Sequence, residues 1–313
     1  MNYTPTPPLP AAPAITLIGD IGIDLVMGPL AAWPEIGTET LMPCSEMRAG
    51  GSAGNVALAL RSLGAPVRLI SAIGNDPLGQ WLRGQFDGIG AELTVMDAAT
   101  STSVGLLHTG GERNFFTTRG HLERQAWTPP APARPGDIIL LTGAFLLPIL
   151  RNNYTTIMQQ LRDLGYVVAI DTGWPSEGFT PDVIAEVRSW LAFADHVLLN
   201  ELEITRLAGT DDLPAAMAIL SDLMSPGATL VAKVGQDGAI GWRDTEKAVA
   251  RPPFLEDVFD TIGAGDAFNA GYLHAVTQGG DLTAALSAGC ETAARIIAQF
   301  PRTLKENAWQ TGA

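Results

Sequence analysis

The sequence predicts a doubly wound α/β fold, a mostly parallel sheet with helices on both faces, on three observations. Short, near-continuous apolar runs recur along the chain, amphipathic runs with helical spacing lie between them, and the order is strand then helix, repeated. Strands that are apolar on both sides belong to a parallel sheet covered by crossover helices.

Taken in order, residues 1–14, MNYTPTPPLPAAPA, are proline-rich and carry no basic cluster ahead of an apolar run, so they read as a flexible tail and not as a signal peptide. ITLIGDI (15–21) is the first buried strand, and GDIGIDLVM (19–27) ends it with two acids, Asp20 and Asp24. GTETLMPCSEMRAG (37–50) reads as extended chain outside the strand–helix rhythm, SAGNVALALRSLG (52–64) as the first helix and VRLISAIG (67–74) as the next strand. TSVGLLHTGGERNFFTTRG (102–120) is a second extended segment, with TGGER as a hairpin turn between alternating strands. DIILLTG (137–143) is a strand; the longer apolar run IILLTGAFLLPIL (138–150) is interrupted by Thr142, Gly143 and Pro148 and is too short to cross a bilayer. YTTIMQQLRDLG (154–165) and DLPAAMAILSDLM (212–224) are helices, each closed near a Gly or Pro, and VVAID (167–171), HVLLN (196–200) and TLVAKVG (229–235) are strands. In TIGAGDAFNAGYLHAV, Phe268, Tyr272, Ala275 and Val276 fall at helical spacing, so a helix begins near Ala264 to Asp266. The extended segments 37–50 and 102–120 form a small β-sheet at the edge of the main one, serving as a lid or a dimer surface. No linker separates two domains, so a single domain over 15–313 is expected.

A chain of 313 residues with 46% hydrophobic residues builds a large soluble core, and its net charge of −14 argues against a nucleic-acid partner, whose binding leans on Lys and Arg. Phosphate would have to be handled by backbone N–H groups, a few placed cations and metal ions. Cys44 and Cys290 stand far apart with no CxxC, which gives no zinc site and makes a reducing, cytoplasmic setting the expectation.

Four stretches can carry chemistry. In DTIGAGDAF (260–268) the first N–H groups of a helix lack intrahelical partners at the positive end of its dipole, and Gly263 and Gly265 keep side chains out of a ligand's way. Asp266 is either the cap of that helix or a general base that takes a hydroxyl proton during phosphoryl transfer. RAGGSAGNVALAL (48–60) is a second glycine-rich helix start, in which Ser52 is a plain N-cap and Asn55 offers donor and acceptor to a polyol. Asp20 and Asp24 stand where open α/β sheets bind ligands, beyond the carboxyl ends of strands, or are turn acids facing water. In NELEITRLAG (200–209), Asn200 and Glu203 either hold the water shell of Mg²⁺ or form a capping box.

With AGGSAGNVA early and DTIGAGDAFNAGY late, the chain resembles the ribokinase-like (PfkB) family of carbohydrate kinases from about Ile15 to about Ala298. The resemblance implies a three-layer α/β/α domain with a small β-sheet lid. It implies Asp266 as catalytic base and Gly263, Ala264 and Gly265 as the anion hole. Asp24, Gly51, Ser52 and Asn55 fall where the family holds sugar hydroxyls. Asn200 and Glu203 match its NxxE element, acting on Mg²⁺ and the ATP phosphates through water. Lys233, Gly235 and Gly238 of KVGQDGAIGW would lie along the nucleotide phosphates and ribose, and Asp260 and Ile262 match positions that help hold a monovalent cation such as K⁺ in several members. Two departures stand out. AARIIAQFPRTLKEN (293–307) replaces the small-residue loop of many potassium-using members, and Ser52 replaces a basic residue of the ribokinase type, against ribose itself as substrate.

The expected activity is ATP-dependent phosphorylation of a hydroxyl on a small sugar or nucleoside, with no nucleic-acid or membrane partner and a homodimer through the lid. Arg113 and Arg119 flank the lid sequence NFFTT, as exposed hairpin residues or as anchors for an acidic sugar; Asp171 and Trp174 of IDTGWP lie near the site without a role. A non-catalytic sugar-binding or regulatory protein of the same fold is the alternative. A dinucleotide-dependent oxidoreductase is a weaker one, because GDIGID does not supply GxGxxG.

Overall fold

A computed structural model describes residues 14–109, 112–255, 258 and 260–299. The expected tail therefore lies outside the described residues up to position 13, as do Gly110 and Gly111 of the TGGER turn and the stretch 293–307 from position 300 onward.

In chain order the elements are β1 (Ile15–Ile18), β2 (Gly22–Leu30), β3 (Cys44–Gly50), α1 (Ser52–Ser62), β4 (Val67–Gly74), α2 (Pro77–Gln85), β5 (Gly90–Met96), β6 (Thr102–His108) and β7 (Arg113–Thr118). They continue with β8 (Ile138–Thr142), α3 (Pro148–Arg151), α4 (Tyr154–Asp163), β9 (Val167–Asp171), α5 (Pro181–Leu191), β10 (His196–Asn200), α6 (Glu201–Ala208) and α7 (Leu213–Ser221). The last are β11 (Thr229–Lys233), β12 (Ala239–Arg243), β13 (Glu246–Ala250), α8 (Ala264–Thr277) and α9 (Leu282–Ile297). Several helices start where the sequence supplies a cap and a proline in the first turn. Asp76 caps α2 ahead of Pro77, Thr180 caps α5 ahead of Pro181, and Asp212 caps α7.

The main sheet has nine strands in the order β13-β12-β11-β10-β9-β8-β1-β4-β5. It is parallel from β11 to β5 and closed at one edge by the antiparallel β12 and β13. Its central strands alternate their side chains between two cores. Leu17, Leu69, Leu140 and Val231 pack toward α1, α8 and α9, whereas Ile18, Ile139, Leu141 and Val197 pack toward α4 to α7. Burial on both faces explains why these strands read as continuous apolar runs, and the result is the three-layer arrangement expected. Where α8 meets α9 the packing is close enough that a methyl on Gly289 would lie 2.6 Å from the Phe268 ring. No helix among the described residues is long and apolar enough to cross a membrane.

A second sheet of four strands, β3-β2-β6-β7, holds the segments read as a lid. Within 37–50 only 44–50 is strand, and within 102–120 the strands are 102–108 and 113–118. The sequence reading of 19–27 as the end of the first strand is corrected. The chain leaves β1 at Ile18, turns at Asp20, and 22–30 forms a central strand of the second sheet, paired with both β3 and β6. Apolar residues continue across the join because β2 is also buried, its Val26 packing with Leu107 of β6 and Ile262 of the main body. The first glycine-rich helix follows a strand directly, since β3 runs into Gly51 and α1.

Candidate active site

Asp171, Asn200 and Lys233 are the last residues of β9, β10 and β11, so the carboxyl ends of adjacent parallel strands deliver three polar side chains to one edge of the sheet. Two helix N-termini reach the same edge. Gly51 precedes α1 with φ 80°, and Gly263 precedes α8 with φ 72°, left-handed conformations that favour glycine.

Neither helix is capped by its own N-cap residue, which is glycine in both. Ser52 is the first residue of α1 and not its cap; its N–H donates to Asp20 Oδ2 at 3.1 Å. Asp20 is almost fully buried, its Oδ1 has no protein partner, and burial pushes its pKa upward. Asp266 does not cap α8 either. Its Oδ2 accepts a 2.8 Å hydrogen bond from Asn55 Nδ2, one turn into α1, which joins the starts of the two helices. The helix-cap reading of Asp266 therefore fails, and the carboxylate stands at the head of α8 beside N–H groups that no side chain satisfies. Burial, then the charge of Asp171, pushes the Asp266 pKa up to about 8.

Lys233 supplies the cation. Its Nζ donates to Asp171 Oδ2 at 2.6 Å and to Asn269 Oδ1 at 3.3 Å, while Asn269 Nδ2 donates to the same Asp171 oxygen at 2.6 Å. Burial favours the neutral amine, yet Asp171 and then Glu203 hold the Lys233 pKa above its usual value. A methyl on Gly265 would lie 3.4 Å from this Nζ, so the ammonium stands against the glycine loop. Of the other glycines expected on the nucleotide side, Gly235 borders open space, whereas Gly238, at φ 98°, packs against the Ala250 carbonyl and has a structural reason to be glycine.

Asn200 and Glu203 form a capping box: Glu203 N–H donates to Asn200 Oδ1 at 2.8 Å, and Asn200 N–H donates to Glu203 Oε2 at 2.9 Å. The structure shows the capping reading, and the two side chains also bond each other. Glu203 is almost fully buried, and burial followed by Asp171 raises its pKa to about 7. Asp171, Glu203 and Asp266 thus crowd one ammonium, a surplus of negative charge that suits Mg²⁺ arriving with phosphates and its own waters. Among the described residues no cluster of three His, Cys, Asp or Glu would hold a metal by itself.

The second sheet borders this edge. Asp24 of β2 stands opposite Arg48 of β3 in register, is largely buried, and packs its carboxyl against Gly50, where any side chain would collide with it. Arg48 reaches Asp260 with both terminal nitrogens at 3.3 Å. Arg113 donates to Thr261 Oγ1 at 2.7 Å and Arg119 to the Phe145 carbonyl at 3.2 Å, so both have partners in the protein. Ile262 packs its side chain into the lid beside Val26 and Leu107. Trp174 is exposed and meets Phe179 edge-on at 5.2 Å, away from the hydrogen bonds of the site. Sequence reasoning missed Arg48 and Asn269 and left Asp171 unassigned. For Asn269 the signal was a polar residue amid apolar helix, three positions after Asp266.

Residues 14–303 match the pfkB family carbohydrate kinase family. The chain is 29% identical over 273 residues to a fructokinase of Klebsiella pneumoniae, covering 83% of each chain. It is 26% identical over 272 residues to a nucleoside kinase of Methanothermobacter thermautotrophicus, covering 85% of this chain and 83% of that one. Its fold matches a ribokinase of Arabidopsis thaliana complexed with ribose and ATP, with a TM-score of 0.74, 20% identity, and coverage of 95% of this chain and 96% of that one.

Proposed function

The chain belongs to the pfkB family of carbohydrate kinases and is a phosphotransferase with an alcohol acceptor, and from that premise we propose that it transfers the γ-phosphoryl group of ATP to a hydroxyl of a small, uncharged sugar or nucleoside, with Asp266 as general base. One observation carries the reading: Asp266 heads α8 without capping it, held by Asn55 beside the glycine-lined start of that helix, where the Ala264 N–H donates to the Thr261 carbonyl, and beside the Lys233 ammonium.

Asp24, Gly51, Ser52 and Asn55 orient the acceptor between lid and sheet. Asn55 holds Oδ2 of Asp266, so Oδ1 takes the hydroxyl proton as the acceptor oxygen bonds to the γ-phosphorus and the bond to the ADP oxygen breaks. The N–H groups of Gly263, Ala264 and Gly265, with Lys233, offset charge growing on the transferred group. Asn200 and Glu203 would hold the water shell of Mg²⁺, which would supply positive charge against the phosphates. The Asn55 hydrogen bond and the Lys233 charge draw the Asp266 carboxyl toward its ionised, basic form against its burial. The lid strands around Leu107 and Phe115 exclude water, which would otherwise intercept the phosphoryl group.

An uncharged acceptor is favoured because Arg48, Arg113 and Arg119 are all engaged by protein oxygens. The outer side of the lid exposes Met47, Phe116 and Trp33, which supports a homodimer through this sheet, to be checked by the mass in solution. An ADP-release assay over a panel of sugars and nucleosides tests the activity. Turnover of at least one uncharged acceptor is expected; binding without turnover across the panel would return the non-catalytic reading.

A further inference from the structure

Asp260 opens the loop that leads into the 263–265 N–H groups, and its side chain is wholly enclosed. A buried carboxylate is costly unless charge and hydrogen bonds compensate it. Here Arg48 Nη1 donates to Oδ2 and Nη2 to Oδ1, each at 3.3 Å, and the N–H of Ile262 donates to Oδ1 at 2.8 Å. The Arg48 side chain is only 10% exposed, and it comes from the lid strand β3, with Glu46 at 3.5 Å as a second carboxylate neighbour.

A monovalent cation at Asp260 would need a carboxylate oxygen turned into an oxygen-lined hole. Asp260 does not fit that requirement, because a guanidinium lies across both of its oxygens and a unit of positive charge is already in place. We propose that Arg48 is a built-in substitute for the monovalent cation: a positioning residue that neutralises Asp260, fixes the 260–263 turn through the Ile262 N–H, and makes K⁺ unnecessary. Without it, the Asp260 carboxylate would lose its guanidinium partner beside N–H groups meant for phosphate. The same contact ties lid to loop, alongside the Arg113 bond to Thr261 from β7.

Only the turnover readout rests on the kinase reading. The test compares the full chain in KCl and in tetramethylammonium chloride at equal ionic strength, by melting temperature with and without ATP and by turnover of an accepted sugar. Wild type is expected to be indifferent to the cation in every measurement. Arg48→Ala is expected to turn over poorly in tetramethylammonium, and K⁺ should raise both its melting temperature and its activity, the latter by about fivefold or more. Arg48→Lys should keep the indifference at reduced turnover, since an ammonium carries the charge without the fork. The proposal is overturned by K⁺ activating or stabilising wild type, by Arg48→Ala matching wild type in tetramethylammonium, or by a folded Arg48→Ala that gains nothing from K⁺. If Arg48→Ala does not fold, the wild-type salt series decides. If no acceptor is turned over, the melting series still decides, and the two failures stay distinct.

Discussion

The side-chain amide of Asn55 donates a 2.8 Å hydrogen bond to Asp266 across 211 residues of sequence, so the first turns of α1 and α8 share one polar contact at the sheet edge. Because that bond favours the ionised carboxylate, Asn55→Ala should raise the Asp266 pKa above its value of about 8. A base works only when ionised, so the acid limb of kcat/KM should move to higher pH. One unit of movement is about a tenfold loss at neutral pH. A pH profile whose acid limb stays in place would remove Asp266 from the role of base.

Asp266→Asn keeps the shape and loses the base. Turnover should fall by roughly a hundredfold or more with the KM for the sugar nearly unchanged. Stability should move the other way. The Asp266 carboxyl ionises at 3.8 in its ordinary state and at about 8 in the fold, so the native protein holds the extra proton between those values and loses stability as pH rises through them. Asp266→Asn lacks that loss, so thermal melts should show it equal to wild type near pH 4 and more stable near pH 9.

Glu203→Gln separates the capping box from the metal. Glutamine can still accept the Asn200 N–H, so α6 should keep its start. The folded Glu203 pKa of about 7 lies above its ordinary 4.5, so wild-type stability falls across that interval and the variant's does not. Melting temperatures should therefore match near pH 4 and favour Glu203→Gln near pH 8. The Mg²⁺ concentration for half-maximal activity should rise, and an unchanged value would confine Glu203 to capping.

How much of this was legible in the sequence depends on whether a feature is local. Strands such as 67–74 and 196–200 carry their own signal because both faces are buried, and Gly263 and Gly265 announce a helix start. β2 was hidden, since its apolar run continues from β1 and nothing local says that the chain changes sheets at Asp20. Arg48 drew no reading of its own, because its partner lies 212 positions away. Asp171 gained a role only once Lys233 and Asn269 arrived from other elements. The alternatives at Asn200 and Glu203 could not be separated by sequence, because the same two residue types at the same spacing serve a helix start and a metal's water shell.

Gly265→Ala sets function against folding most sharply. Gly265 is the second residue of α8 and its φ is not in the left-handed region, so alanine fits the backbone there. The added methyl would meet Lys233 Nζ at 3.4 Å, an ordinary contact with the end of a flexible side chain. Alanine also restrains the unfolded chain, which favours the folded helix by about 0.5–1 kcal/mol over glycine. The melting temperature should hold or rise. The same methyl occupies the approach to the 263–265 N–H groups, where a phosphoryl group must come within hydrogen-bond distance, so kcat should fall by roughly a hundredfold, the scale of losing one anion-hole donor. Gly263→Ala provides the contrast, since φ 72° strains alanine and both stability and activity should drop. If Gly265→Ala is as active as wild type, the anion hole is not at the start of α8.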